Sequence, residues 1–156
     1  MQRLWRIELL GGLKATRGEQ VVERFRTRRA GTLLAYLAYH GGAHARELLM
    51  EILWPEGDPT SSRVSLRTIL STLRRQLEPP GVQAGIVVQA SREVIRLNPA
   101  AYVTDVAEFE AAIQAAGSAR SGIEWGQHLT EAIRRYTARS PLQPEPSISL
   151  CCTSPH

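Results

Sequence analysis

The chain has 156 residues, which suits one ordinary domain or a small domain followed by part of a second. Its composition, 43% hydrophobic and 22% charged, is typical of a globular protein and excludes the disordered, collagen-like and disulfide-framework classes. The longest nearly apolar stretch, residues 33–39, is far shorter than the roughly 20 residues of a membrane-spanning helix, and the N-terminus lacks the apolar centre of a signal peptide. We therefore expect a cytoplasmic protein with no membrane partner.

Arginine dominates the charge of the chain. Of the 19 basic residues, all except Lys14 are Arg. Residues 1–98 contain 15 basic and 9 acidic residues, whereas residues 99–156 contain 4 basic and 6 acidic ones. The planar guanidinium binds phosphate or guanine through two parallel hydrogen bonds, which lysine cannot make. The basic first part suggests a polyanionic partner such as nucleic acid, and an ordinary solvated surface is the alternative.

The first predicted element is a small antiparallel sheet, because strand-forming residues occur in three short runs that glycines separate. These runs are residues 4–10, 13–16 and 20–22. Two helices follow, since leucines then recur at helical spacing. The first has about 13 residues between a Thr27 cap and Gly41, and the second covers residues 44–54 before Pro55.

The third predicted helix, residues 62–77, is the clearest element. Leu66, Leu70, Leu73 and Leu77 form one apolar stripe, and the opposite face is polar and rich in arginine. Two strands then bracket an exposed basic turn and form a hairpin. The strands are residues 85–89 and 94–97.

Beyond this hairpin the sequence predicts two more helices, residues 105–116 and 125–136, that form a helical hairpin. Their predicted inward residues are Val106, Phe109, Ile113, Leu129, Ile133 and Tyr136. Residues 138–156 contain four prolines and no periodicity, so we expect a disordered tail.

No motif for catalysis, a metal or a cofactor is found. Glycine-rich phosphate-binding patterns are absent, and no serine has a recognisable His and Asp partner. His40 and His44 lie on either side of a predicted helix break without a third ligand, and the adjacent Cys151 and Cys152 cannot form an unstrained disulfide with each other. We expect a protein that is not an enzyme.

The order of these elements, a sheet, three helices and a hairpin, is that of a winged helix-turn-helix. In such folds the third helix enters the major groove of DNA, where all four base pairs are distinguishable, and the hairpin is a wing that contacts the flanking minor groove or phosphate. The predicted fold class is therefore α+β, with a winged helix followed by a short helical hairpin.

Three strings carry a resemblance to a known family. They are Thr-Arg-Arg-Ala-Gly-Thr-Leu-Leu-Ala-Tyr-Leu-Ala at 27–38, Leu-Met-Glu-Ile-Leu-Trp-Pro at 49–55 and Val-Ser-Leu-Arg-Thr-Ile-Leu-Ser-Thr-Leu-Arg-Arg-Gln-Leu at 64–77. With them the chain resembles the SARP (antibiotic regulatory protein) family of bacterial transcriptional activators. The resemblance implies an OmpR-type DNA-binding domain at residues 1–98 and part of a tetratricopeptide-like bacterial transcriptional activator domain at residues 105–137.

The resemblance also implies three groups of DNA-contacting residues. The base readers lie on the outer face of the third helix: Arg63, Arg67, Thr68 and Ser71. The phosphate contacts lie further along that helix and at the start of the first helix: Arg74, Arg75, Arg28 and Arg29. The wing contacts are Arg92 and Arg96. The wing turn departs from the family pattern, since it lacks the expected glycines and aromatic residue.

The implied function is sequence-specific binding of double-stranded DNA at promoter direct repeats, by two or more copies, with recruitment of RNA polymerase in the bacterial nucleoid. Residues 56–62 are a candidate polymerase contact or a plain connector. The activator domain of the family continues for several helix pairs, so we expect a truncation or frameshift after about residue 136. The alternative is a protein-interaction module, or a dominant-negative remnant that binds DNA weakly.

Overall fold

The computed structural model describes residues 4–137, and the side chains of residues 4–134. These residues form a four-stranded sheet, three helices, a three-stranded sheet that contains a hairpin, and two further helices. The predicted α+β class with a winged helix-turn-helix and a helical hairpin is confirmed. The tail predicted to be disordered, with its two cysteines, lies outside the described residues.

The N-terminal sheet contains the three predicted strands in antiparallel order. They are β1 (Trp5–Glu8), β2 (Lys14–Arg17) and β3 (Gln20–Val22). Trp5 and Ile7 alternate inward from β1 into the core. The Trp5 indole Nε1 donates a 3.0 Å hydrogen bond to the carbonyl of Leu77, so this sheet is fixed to the end of the third helix.

Helix α1 (Arg28–His40) begins and ends where its sequence predicts. The Thr27 hydroxyl accepts a 3.1 Å hydrogen bond from the Ala30 amide, and Gly41 ends the helix at a φ of +61° that favours glycine. Helix α2 (Arg46–Leu53) begins two residues later than predicted, because residues 44–45 form a short strand instead.

Helix α3 (Pro59–Leu77) begins three residues earlier than the predicted start at residue 62. Pro59 occupies the first turn, where a missing amide proton costs nothing, and the Asp58 carboxylate caps the helix by accepting a 3.0 Å hydrogen bond from the Ser61 amide. The amide and hydroxyl of Ser61 lower the pKa of Asp58. The predicted loop over residues 56–62 is therefore wrong in its second half, and only residues 54–58 connect α2 to α3.

The wing consists of β5 (Val88–Ala90) and β6 (Val94–Leu97), and the short strand β4 (His44–Ala45) pairs with β6. A buried carboxylate fixes the start of this hairpin. Glu78 Oε1 accepts hydrogen bonds of 2.8 Å from the amides of Val87 and Val88, and Oε2 accepts one of 2.9 Å from the Gly85 amide. These three bonds orient the wing relative to α3.

One hydrophobic core joins the three helices, the N-terminal sheet and the wing. The leucines predicted to be inside are buried: Leu33, Leu37, Leu53, Leu66, Leu70 and Leu73. Trp54, predicted to be in the core, is half-buried at its edge.

The chain then returns to the N-terminal sheet, which the sequence did not predict. After a 3-10 turn at Pro99–Ala101, strand β7 (Tyr102–Thr104) pairs with β1 in parallel. The order of the sheet is β3-β2-β1-β7. A run of three residues is too short to show the alternation that identifies a strand from sequence alone.

Helices α4 (Asp105–Gly117) and α5 (Gly122–Thr137) form the predicted helical hairpin and pack against each other. Buried Ala116 and Ala132 allow a close approach of the helices. The prediction that Ile113 and Ile133 face inward is wrong, because both are exposed. No described helix is long and apolar enough to cross a membrane.

The hairpin is attached to the N-terminal sheet through its first turn. The Asp105 carboxylate accepts hydrogen bonds of 2.8 and 3.1 Å from the amides of Leu9 and Leu10, and Asp105 is only 3% exposed. Arg6 on β1 donates a 2.7 Å hydrogen bond to Glu108. These contacts hold α4 beside β1 and β7.

Candidate nucleic-acid interface

The outer face of α3 carries all four predicted base-reading residues. Arg63, Arg67, Thr68 and Ser71 are exposed there, while Leu66, Ile69, Leu70 and Leu73 on the other side are buried. The helix is amphipathic because its leucines recur at intervals of three and four residues, and the polar positions between them must face solvent.

A groove of about 680 Å³ lies between α3, the start of α2 and the wing turn. Five guanidinium side chains and one carboxylate, that of Glu47, line it. The arginines are Arg46, Arg63, Arg67, Arg74 and Arg92. We call this concave surface the arginine groove. Its excess of positive charge favours an anionic ligand over a neutral or cationic one.

Several of these arginines have no partner within the part of the chain that the structure describes. The side chains of Arg63, Arg67 and Arg92 make no hydrogen bond or ion pair with residues 4–134. The described salt bridges of 4.0 Å or less engage Arg6, Lys14 and Arg134 instead. These three guanidinium groups therefore keep their donors available for a ligand.

Arg74, predicted to hold phosphate, has an intramolecular partner. It is half-buried, and its Nε and Nη2 donate hydrogen bonds of 3.2 and 3.1 Å to the carbonyl of Val88. This contact ties α3 to the first strand of the wing. The neighbouring Arg75 is exposed and lies outside the arginine groove.

The two predicted phosphate contacts at the start of α1 also differ from each other. Arg28 is exposed. Arg29 donates a 3.2 Å hydrogen bond from Nε to the Leu53 carbonyl at the end of α2, and its guanidinium carbon lies 5.4 Å from the ring centroid of Trp54. Arg29 thereby satisfies a carbonyl at the helix C-terminus and makes a cation–π contact.

The wing turn is closed by a serine rather than by glycine. Ser91 Oγ accepts hydrogen bonds of 3.1 Å from the Val94 amide and 3.3 Å from the Glu93 amide, and Arg92 projects at the exposed tip. Arg96, the second predicted wing residue, donates a 2.6 Å hydrogen bond to Gln89 Oε1 on the neighbouring strand. The Ser91 side chain thus satisfies two backbone amides of a turn that contains no glycine.

Sequence reasoning missed Arg46, the first residue of α2. Its Nε donates a 2.8 Å hydrogen bond to the carbonyl of Ser91, and its amide donates one of 2.9 Å to the carbonyl of Glu93. Arg46 therefore both lines the arginine groove and holds the wing turn. The sequence around Arg46 does not indicate that it lies at the groove, because its position depends on the long-range pairing of β4 with β6.

The two histidines weighed as metal ligands lie near each other, with ring centroids 6.1 Å apart. His44 Nε2 is hydrogen-bonded to the Gly41 carbonyl at 2.6 Å. Among residues 4–137, no group of three or more His, Cys, Asp or Glu side chains is arranged to hold a metal ion.

Comparison with known proteins supports a SARP-like fold. Mycobacterium tuberculosis EmbR, a SARP-family regulator whose structure was solved in complex with a low-affinity phosphopeptide, aligns with a TM-score of 0.68 and 26% sequence identity. The alignment covers 89% of this chain and 37% of EmbR, so the chain spans little more than a third of the length of that relative. No protein-family model matches the chain. No curated protein matches it either. The described residues thus have the mixed α+β, winged-helix architecture of a SARP-type transcriptional regulator.

Proposed function

We propose that the chain is a sequence-specific regulator of transcription that binds double-stranded DNA. The arginine groove carries this proposal, because five guanidinium groups and only one carboxylate line it beside the exposed face of α3. The similarity to EmbR, a SARP-family regulator, agrees with it. A long polyanion that fits both a helix face and a neighbouring groove is the ligand that suits this surface best.

In the proposed complex, α3 lies in the major groove and the phosphate backbone of one strand runs through the arginine groove towards the wing. Arg63, Arg67, Thr68 and Ser71 read base edges, and Arg92 and Arg96 contact the flanking minor groove or its phosphates. Thr68 Oγ1 already donates to the Val64 carbonyl at 3.1 Å, so its hydroxyl proton is not available to a base acceptor.

The proposed phosphate contacts are Arg28, Arg29, Arg74 and Arg75, to which we add Arg46. Arg29 and Arg46 each use Nε for an intramolecular bond, which leaves the terminal Nη atoms available. A guanidinium has five N–H donors, so it binds a backbone carbonyl and a phosphate together. Anchoring in this way lowers the entropy that the side chain loses on binding DNA.

We also propose two protein partners, a second copy of the chain and RNA polymerase. Two copies on promoter direct repeats would place two α3 helices on one side of the duplex. The connector at residues 54–58, with Glu56 and Asp58 exposed beside the DNA-facing helix, is the proposed contact for RNA polymerase in an activator.

A second candidate function is a protein-interaction module. Ile123 and Trp125 on α5 are 77% and 52% exposed, which favours a partner at the helical hairpin. This function does not explain the arginine groove.

Selection of binding sites from a random duplex library, followed by titration of the selected site, tests the proposal. A DNA-binding regulator enriches one motif and loses affinity by orders of magnitude between about 50 and 200 mM salt. The matched variants Arg67→Gln and Arg17→Gln remove the same charge from α3 and from β2, and only the first should weaken binding to the motif and relax the preference at one base pair. Absence of any enriched motif would leave the interaction module as the function.

A further inference from the structure

An apolar residue interrupts the polar face of α3. Val64 is 60% exposed and lies one helical turn before Thr68, between the base-reading candidates Arg63 and Arg67 in sequence. Valine is a weaker helix former than the straight-chain residues, and this side chain is not part of the hydrophobic core. Its presence on this face is thus not explained by the stability of the helix.

Thr68 extends this apolar feature. Residues four apart are neighbours on a helix surface, so the side chains of Val64 and Thr68 lie next to each other. The Thr68 hydroxyl donates a 3.1 Å hydrogen bond to the Val64 carbonyl, which commits the polar proton of the side chain to the backbone. Thr72 makes the same bond to the Thr68 carbonyl at 3.0 Å. Because positions four apart share one stretch of a helix surface, we treat the methyl group of Thr68 and the two methyl groups of Val64 as one feature, the methyl patch.

We propose that the methyl patch of Val64 and Thr68 reads the C5-methyl group of thymine. This inference rests on the proposed binding of duplex DNA by α3. Thymine is the base that presents an apolar group in the major groove, while the other edges offer donors and acceptors. Contact of the patch with cytosine or adenine would desolvate an amino group without giving it an acceptor. Arg67 and Ser71, exposed on the same face, supply the hydrogen bonds that the patch lacks.

The test replaces thymine by deoxyuridine, which lacks only the methyl group, at each position of the site selected from the random library. We expect one or two positions at which the wild-type protein binds the uridine duplex about fourfold more weakly, as burial of one methyl group predicts. Val64→Ala should bind the thymine duplex more weakly and lose this discrimination. Thr68→Ser keeps the hydroxyl bond and removes the methyl group, so it should reduce the discrimination, whereas Thr68→Val should retain it.

The outcomes separate this inference from the function on which it rests. If no duplex is selected, the proposed function fails. If a site is selected but uridine is tolerated at every position, or Val64→Ala and the wild type discriminate equally, the methyl patch is not a reader although the protein binds DNA. Val64 is exposed, so its alanine variant should fold, and melting curves that match the wild type verify this.

Discussion

Arginines on two sides of the molecule have opposite surroundings. Arg6, at the junction of β1 and α4, donates to Glu108 and lies 3.7 Å from Glu8. Arg63 and Arg67, at the arginine groove, meet no carboxylate within hydrogen-bonding distance among the described residues. An arginine side chain thus stabilises the junction of β1 and α4 in one place, whereas other arginines remain available for a ligand at the groove. Composition alone cannot distinguish these uses, whereas the partners can.

Between these two cases are arginines that bind backbone carbonyls. Arg29, Arg46 and Arg74 hold the carbonyls of Leu53, Ser91 and Val88. They connect the helices to one another and to the wing, and so they fix the shape of the surface to which they belong. Preorganisation of this kind reduces the cost of ordering an interface when a ligand binds.

The largest effect on stability is expected at the junction of the N-terminal sheet with α4, where the charged side chains are paired. Asp105→Ala leaves the amides of Leu9 and Leu10 without their acceptor, and the loss of two hydrogen bonds to a carboxylate should lower the free energy of unfolding by about 3 kcal/mol. Urea denaturation measures this change. Asp105→Asn retains one acceptor oxygen and should lose less. An alanine variant as stable as the wild type would show that the junction does not support the fold.

The next largest effect is expected on DNA affinity, at the unpaired arginines of the arginine groove. Arg67→Ala should weaken binding to the selected site by about 1–3 kcal/mol and relax the preference at one base pair, with little change in stability because the side chain is exposed. Titration of the selected and a scrambled duplex measures both affinities. Equal losses on the two duplexes would contradict a base-reading role.

A smaller effect separates phosphate binding from base reading. Arg28→Ala should weaken binding to all sequences alike and reduce the salt slope of the affinity by roughly one, because it removes one contact to phosphate. Arg28→Lys keeps the charge and should retain most of the slope. A loss confined to the selected sequence would place Arg28 at a base instead.

The smallest effect is expected at an exposed ion pair in the N-terminal sheet. Lys14 and Glu23 lie 2.7 Å apart, and their hydrogen bond raises the pKa of Lys14 and lowers that of Glu23. A carboxyl group whose pKa is lowered by folding stabilises the folded protein at pH values above its ordinary pKa. This stabilisation is lost as the pH falls through the lowered pKa. Solvent screens the pair, so Lys14→Ala should leave the melting temperature unchanged at neutral pH. A clear drop would mean that exposed pairs matter here as much as the junction does.

The helices could be predicted from the sequence because their signals are local. Leucine spacing, the Thr27 cap and Gly41 determine α1, and the stripe of α3 identifies its buried face. The early start of α3 also had a local signal, since Asp58 followed by Pro59 is a cap followed by a favoured first residue. The residues around that signal are also turn formers, so the sequence alone favours a loop there as much as a helix start.

The strands β4 and β7 could not be predicted in the same way. Each has three residues or fewer, and each forms only by pairing with a strand distant in the sequence, β6 or β1. For the same reason, the carbonyl contacts of Arg46 and Arg74 had no signal in the sequence. The positions of the candidate DNA-binding residues were predictable from the helix pattern, but which guanidinium groups have an intramolecular partner was not.

The proposed function requires that unpaired guanidinium groups of the arginine groove bind the phosphate backbone and bases of duplex DNA. Its most direct test is the salt dependence of DNA affinity for two double variants that remove equal charge: Arg67→Gln with Arg92→Gln at the groove, and Arg17→Gln with Arg120→Gln away from it. We predict that the groove variant has a slope smaller by about one, because Arg92 is the phosphate contact of the pair, and that it loses the preference at the base pair read by Arg67. The second variant should keep the slope and the preference of the wild type. Equal slopes for the two variants would show that the arginine groove does not bind the phosphate backbone.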